Sequence, residues 1–169
     1  MAHSNILERP RRLILMRHAQ AMPVRGGGSD FLRPLSDQGR IQAQSIGRQL
    51  AKLGYRPDWA LVSTSIRTQE TWDVVNSAWS PSLHQEKTEG FYHGQIEDIQ
   101  HAVGVLGEEV VTLLCLGHNP GWSGASSAFA GKIIEMGEAH TVVLEGKFSS
   151  WEQAVASYGA WVVKSILQP

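Results

Sequence analysis

The sequence predicts an α/β protein, a three-layer α/β/α sandwich around a mostly parallel central sheet. Two observations lead to this fold class. Short apolar runs alternate with amphipathic stretches of helical period along the 169-residue chain. No internal repeat, low-complexity tract or linker interrupts that alternation. Residues 11–169 are therefore expected to form one domain, preceded by a loosely ordered polar leader at 1–10.

Local patterns justify each element of the first half. RLILM at 12–16 and DWALV at 58–62 are apolar runs of strand length. Between them, the glycines of RGGGSD at 25–30 favour a flexible loop. A helix is predicted at 35–54, because its apolar residues recur at helical spacing between a serine that can cap it and a terminal glycine. A second helix, beginning with hydroxyl residues, is predicted at 63–79.

The second half continues the alternation. Pro and Gly residues predict a loop at 80–94, and an apolar stripe predicts a helix at 95–107. VVTLLCL at 110–116 is the most strand-like run in the chain, and Asn119-Pro120 is expected to begin the next helix with Asn as its cap. Two closing strands are predicted at 140–146 and 160–167.

Composition excludes several function classes. The net charge is −1 with basic and acidic residues interspersed, which argues against nucleic-acid or membrane partners. No apolar run approaches the length of a membrane span, and the N-terminus lacks the apolar core of a secretory signal. The single cysteine, Cys115, cannot form an intrachain disulfide, so a reducing cytoplasmic setting is expected.

Three predicted strands end in residues that can carry chemistry. RLILM ends in Arg17-His18, and VVTLLCL leads to His118 within Gly-His-Asn-Pro. DWALV leads to a serine-rich turn and then Arg67 at the opening of a helix. Parallel sheets bind ligands beyond the carboxyl ends of their strands. A cluster of cations there is costly unless an anion joins it, and arginines with a helix N-terminus favour phosphate.

The two histidines indicate a reaction rather than binding alone. A neutral imidazole can attack phosphorus and form a covalent phosphohistidine. A second, protonated imidazole can stabilise the charge that develops on the phosphoryl oxygens, so that no metal or other cofactor is needed. With one imidazole neutral and the other charged, activity should fall at both pH extremes. The remaining histidines lack zinc-site spacing and companion cysteines.

The quoted motifs resemble a known family. LMRHAQA, RPLSDQGRIQA, VSTSIRTQET and LGHNPG are similar, in order and spacing, to the motifs of the histidine phosphatase (phosphoglycerate-mutase-like) superfamily. They are closest to its short SixA-type phosphohistidine phosphatase branch. The resemblance runs from about residue 13 to residue 143.

The resemblance implies roles for individual residues. It makes His18 the nucleophile and Arg17, Arg67 and His118 the phosphate pocket. Arg33, in RPLS, is implied as a further basic residue there, and Asn119 is counted with the phosphate-binding set. Glu89, in TEGFYHG, is the residue that best matches the carboxylate general acid of family members, with a solvated loop residue as the alternative interpretation.

Departures from the family pattern keep other functions open. Ala19 and Gln20 stand where the family usually has glycine and an acid, and Thr64 replaces the usual proline. None of these changes removes an Arg or His, so an intact pocket is expected. The alternatives are a phosphatase or mutase of small phosphoesters and, from another class, a phosphate-binding module that has lost turnover.

Length informs the substrate. Larger family members insert a helical lid, whereas only residues 80–109 separate the second helix from VVTLLCL here, and one short helix occupies much of that segment. A shallow, open pocket suits a phosphoryl group displayed on a protein surface. Together with this pocket shape, the resemblance to the SixA-type branch implies phosphohistidine in a phosphotransfer domain as the substrate, with phosphate ion as product.

Overall fold

A computed structural model describes residues 8–169 of the chain. Within that range one mixed sheet is formed by strands β1 (Arg9–Arg17), β2 (Trp59–Ser63), β3 (Gln85–Thr88), β4 (Thr112–Gly117), β5 (Thr141–Phe148) and β6 (Val162–Leu167). The helices are α1 (Asp37–Lys52), α2 (Ile66–Asn76), α3 (Ile96–Gly104), α4 (Gly121–Ala130) and α5 (Trp151–Ala156). Short 3-10 turns lie at Asp30–Leu32 and Glu89–Phe91.

The strand order confirms the predicted α/β sheet and refines it. The order is β3-β2-β4-β1-β5-β6. Neighbours among the first four strands are parallel, whereas β5 runs antiparallel to β1 and to β6. The parallel part therefore contains β1, β2 and β4, the three strands whose ends carry the site candidates.

Two apolar faces of the sheet explain the three layers. Leu13 and Leu15 of β1 face one side, where they join a core with Trp122 of α4 and Trp151 of α5. The intervening Ile14 and Met16 face the other side, with helices α1 and α2. Successive strand residues point to opposite faces, so a continuous apolar run predicts a strand that is covered on both sides.

Several boundaries differ from the sequence-based expectations. β1 begins at Arg9, within the predicted leader, and residues 1–7 of that leader lie outside the described residues. The predicted loop at 80–94 contains the strand β3, which pairs with β2 at the edge of the sheet. The sequence analysis does not predict this strand, because its sequence QEKT has no apolar residue. The short helix α5 was not predicted.

The two predicted helix caps have different outcomes. Ser36 caps α1 as predicted, since its hydroxyl accepts the N–H of Gly39. α4 begins at Gly121, later than predicted, with Pro120 in the cap position. Asn119 Oδ1 still accepts the N–H of Ser123 at 3.2 Å, so it supports the first turn from outside the helix. No helix within residues 8–169 is long and apolar enough to cross a membrane.

Candidate active site

Strand register brings the two predicted histidines together. In the parallel pair of β1 and β4, Arg17 lies opposite Gly117, so His18 and His118 follow at the same level of the sheet. Their ring centroids are 5.0 Å apart. Both imidazoles are buried, at 7% and 6% exposure, yet they line a cavity of about 380 Å³ at the carboxyl ends of these strands.

Hydrogen bonds assign the proton on the His18 ring. Nδ1 lies 2.7 Å from the carbonyl oxygen of Ala19, and a carbonyl only accepts, so Nδ1 carries the hydrogen. Nε2 therefore holds the lone pair, and it accepts a hydrogen bond from Arg67 Nε at 3.2 Å. This tautomer directs the lone pair of Nε2 toward the guanidinium of Arg67.

His118 has the opposite tautomer. Arg67 Nη2 lies 3.3 Å from Nδ1 of His118, and because a guanidinium only donates, Nδ1 is the acceptor. Nε2 then carries the hydrogen and donates to the Ser63 hydroxyl at 2.7 Å. Ser63 is the last residue of β2, so three neighbouring strands contribute to one hydrogen-bonded group.

Burial lowers the pKa of both imidazoles and favours their neutral forms. Desolvation, followed by the charges of Arg67 and Arg17, lowers the pKa of His18 to about 4, although its bond to the Ala19 carbonyl opposes the shift. Desolvation, then His18 and Arg67, lowers the pKa of His118 to about 3. A charged His118 during the reaction stays a prediction, because a bound phosphoryl group would add the negative charge that favours the imidazolium.

These shifts predict acid sensitivity. Between pH about 4 and the ordinary histidine pKa of 6.5, the unfolded chain binds more protons than the folded one, so the free energy of unfolding falls as pH falls. We expect a loss of about 2 kcal/mol for each histidine as pH falls from about 7.5 to about 4.5. Urea unfolding of the wild type and His118→Asn, with His84→Asn as exposed control, tests this. Equal slopes for all three proteins would contradict it.

Arg67 is the central cation of the cavity. The residue is 5% exposed and lies on the first turn of α2. Besides the two imidazoles, it donates from Nη1 to the backbone oxygen of Asp30 at 2.8 Å and from Nη2 to Asp30 Oδ2 at 3.1 Å. A planar fork in contact with both histidines is suited to bidentate binding of a phosphoryl group.

Asp30 is a site residue that sequence reasoning missed. Its carboxylate accepts from the Tyr92 hydroxyl at 2.7 Å and from Arg33 Nε at 2.8 Å, in addition to Arg67. The Tyr92 bond, then the Arg67 and Arg33 charges, lower the pKa of Asp30 to about 2 against the opposing effect of burial. The Asp-x-x-Arg spacing between Asp30 and Arg33 was the available signal, but the glycine-rich segment was interpreted only as a flexible loop.

The other predicted phosphate ligands all line the cavity, but their side chains differ in the protein groups that they bind. Arg17 lines the cavity, donates to the Met136 carbonyl at 3.1 Å, and has a buried Nε with no partner among residues 8–169. Arg33 and Asn119 line it too, but Arg33 holds Asp30. Asn119 donates from its side chain to the Met136 carbonyl at 2.7 Å.

Glu89 does not join this group. It is exposed at the start of a 3-10 turn after β3, and its side chain does not line the cavity. Its assignment as general acid stays a prediction without support from its position. The lining residues that the sequence analysis did not assign are Ala21, Asp30, Tyr92, His93, Gly94, Gln95, Pro120 and Glu138.

Ala19 and Gln20, which depart from the family motif, fit the local backbone and hydrogen bonding. Ala139 is the one non-glycine residue with positive φ among residues 8–169, so Ala19 needs no glycine-like backbone. Ala19 donates its N–H to the Thr71 hydroxyl at 3.1 Å. Gln20 accepts from the Ser36 hydroxyl at 2.7 Å, which ties the His18 loop to the start of α1. Both residues support the loop that carries His18.

A family comparison agrees with this geometry. Residues 13–101 match the model of the histidine phosphatase superfamily (branch 1). The chain belongs to the histidine phosphatase superfamily. The matched region contains His18 and Arg67. The protein is therefore a phosphatase of this superfamily.

Individual relatives extend the likeness over most of the chain. An uncharacterized chloroplastic protein of Arabidopsis thaliana is 28% identical over 94% of this chain and 78% of its own length. A solved protein from Agrobacterium tumefaciens, provisionally named phosphohistidine phosphatase SixA, is 24% identical with a TM-score of 0.81, covering 95% of this chain and 99% of that one. The protein histidine phosphatase SixA complexed with tungstate is 16% identical with a TM-score of 0.77, covering 93% and 96%. The fold of this histidine phosphatase is thus SixA-type.

Proposed function

We propose that this chain is a phosphohistidine phosphatase that forms a covalent intermediate on His18. The observation that carries the proposal is the Nε2 lone pair of His18, which contacts Arg67 inside a cavity shared with His118 and Arg17. A neutral imidazole with a fixed tautomer is ready to attack phosphorus, and the surrounding guanidiniums stabilise the charge of the transferring group.

The first step transfers the phosphoryl group to the enzyme. Nε2 of His18 uses its lone pair to form a bond to phosphorus while the bond from phosphorus to the donor nitrogen or oxygen breaks. The electron pair of that bond leaves with the donor, which takes up a proton. The hydrogen bond from Nδ1 to the Ala19 carbonyl stabilises the positive charge that the ring gains.

The second step regenerates the enzyme. Water attacks the phosphorus of phosphohistidine 18, loses a proton, and displaces Nε2, which recovers its lone pair. Inorganic phosphate then leaves the cavity. Arg17 and Arg67 would hold the phosphoryl oxygens in both steps, and protonated His118 would stabilise the added charge.

The segment between α2 and β4 supports a protein-borne phosphohistidine as substrate. It contains only β3, a 3-10 turn and the nine residues of α3. Within residues 8–169 no larger lid covers the cavity, so a phosphoryl group on another protein's surface can approach it. An imidazole leaving group also needs less protonation help than an alkoxide, so this substrate does not require the exposed Glu89 as general acid.

The decisive experiment uses two radiolabelled donors. The wild type is mixed with a phosphohistidine-bearing phosphotransfer domain and, separately, with a small phosphate ester, and acid-labile label on His18 is followed by quenching and peptide mapping. We expect label on His18 followed by phosphate release, faster from the phosphotransfer domain. Faster turnover of the ester would assign a small-molecule phosphatase instead. Phosphate binding without label from either donor would indicate a binding module and overturn the proposal.

A further inference from the structure

Resting on the proposed function, we propose that Glu138 is a further catalytic residue, the group that exchanges protons with the leaving group and the attacking water. Within the described residues, Asp30 and Glu138 are the carboxylates that line the His18 cavity. Asp30 accepts from Tyr92, Arg33 and Arg67, so its oxygens are fully engaged. Glu138 has no hydrogen bond or ion pair to any residue in 8–169.

The backbone around Glu138 is fastened to the catalytic dipeptide. Ala139 donates its N–H to the His18 carbonyl at 3.0 Å, and Arg17 donates its N–H to the His140 carbonyl at 3.1 Å. The Arg17 side chain binds the Met136 carbonyl at 3.1 Å. Glu138 is therefore bracketed by bonds to residues 17 and 18, and its position relative to the nucleophile is set by the backbone.

Backbone strain at the next residue indicates a functional constraint. Ala139 is fully buried and has a φ of 59°, a conformation that an L-residue with a side chain adopts at a cost of about 1 to 3 kcal/mol. The hydrogen bond from its N–H to His18 and the one that its carbonyl accepts from the Thr141 hydroxyl at 3.1 Å hold it there. Such strain is retained where the surrounding structure needs the geometry that it produces.

Glu138 lies beside a guanidinium that is proposed to hold the phosphoryl group. Its carboxylate is close enough to Arg17 to be the main influence opposing the lowered pKa of that guanidinium. In the proposed cycle, the protonated carboxylic acid donates to the leaving group of a phosphoryl group bound at Arg17. Once the leaving group has taken the proton, the resulting carboxylate can accept a proton from the water that attacks phosphohistidine 18.

The inference implies that the site can also cleave oxygen esters. Phosphohistidine releases an imidazole whose distal nitrogen can be protonated from solvent, whereas an alkoxide or phenolate needs its proton at the bridging oxygen as the bond breaks. A carboxylic acid inside the cavity supplies that proton. Loss of Glu138 should therefore impair esters with poor leaving groups far more than activated ones.

The test compares Glu138→Gln with Glu135→Gln on phenyl phosphate and dinitrophenyl phosphate. Glu135 is an exposed residue of the same segment that does not line the His18 cavity, so its variant should behave like the wild type. We expect Glu138→Gln to lower kcat/KM for phenyl phosphate by about 10² to 10⁴-fold and for dinitrophenyl phosphate by less than about tenfold. With the activated ester, labelled phosphohistidine should accumulate after a burst of dinitrophenolate, because its hydrolysis has lost the base.

Three results would overturn the assignment. They are an equal loss on both esters without a burst, no loss at all, or a leaving-group-dependent loss in Glu89→Gln and none in Glu138→Gln. Retained phosphate affinity and an unchanged far-UV spectrum distinguish lost proton transfer from misfolding. Failure of the wild type to label His18 would instead contradict the proposed function, so the two proposals fail separately.

Discussion

His18→Ala should abolish phosphate release, lowering kcat by about four orders of magnitude or more. The reason is that Nε2 of His18 is the proposed attacking atom, and the imidazole of His118 cannot replace it because both of its nitrogens are hydrogen-bonded. Nδ1 of His118 accepts from Arg67, and its Nε2 donates to Ser63. Single-turnover assays with a labelled phosphohistidine donor measure both the lost intermediate and the lost product.

The control for His18→Ala separates chemistry from folding. His84 is exposed on the loop before β3, so His84→Ala removes an imidazole without touching the cavity and should keep full activity. Because burial depresses the pKa of His18, the alanine variant should also be less destabilised by acid than the wild type. Phosphate release by His18→Ala at the wild-type rate would remove His18 as nucleophile.

The site could be predicted where local sequence determines register. β1 and β4 are apolar runs that end in Arg17 and Gly117, and a parallel pairing of such runs puts the following histidines side by side. The fold class followed from the same alternation of strands and helices. Polar β3 could not be recognised, because an edge strand with the sequence QEKT depends on its pairing with β2 rather than on its own pattern.

Residues that enter the site through loops were harder to predict. Asp30 belongs to the cavity because Tyr92, 62 residues away in sequence, donates to its carboxylate. Glu138 is positioned by hydrogen bonds that join its neighbours Ala139 and His140 to the end of β1. Such long-range bonds cannot be predicted from the periodicity of apolar residues. The protonation of the histidines was also beyond the sequence, since it depends on burial and on the guanidinium of Arg67.

Arg67→Ala should impair phosphate binding most strongly among the arginine variants, lowering kcat/KM by about 10³-fold. Arg67 contacts both imidazoles, the backbone oxygen of Asp30 and its carboxylate. Its loss therefore removes the central cation and leaves the Asp30 carboxylate in the cavity with one donor fewer. Arg67→Lys keeps the charge without the planar fork, so a substantial part of the loss should persist. Calorimetric titration with phosphate or vanadate measures the affinity directly.

A double variant tests why the affinity falls. If the uncompensated carboxylate repels phosphate, Asp30→Asn in the Arg67→Ala background should recover part of the lost affinity, whereas Asp30→Asn alone removes an acceptor that positions Arg67 and should weaken binding. Asp30→Asn should thus have opposite effects on phosphate affinity in the two backgrounds. With Arg67 present, Asp30 helps binding because it positions the guanidinium. Without Arg67, the Asp30 carboxylate repels phosphate directly. Unchanged phosphate and vanadate affinity in Arg67→Ala would show that the phosphoryl group binds elsewhere.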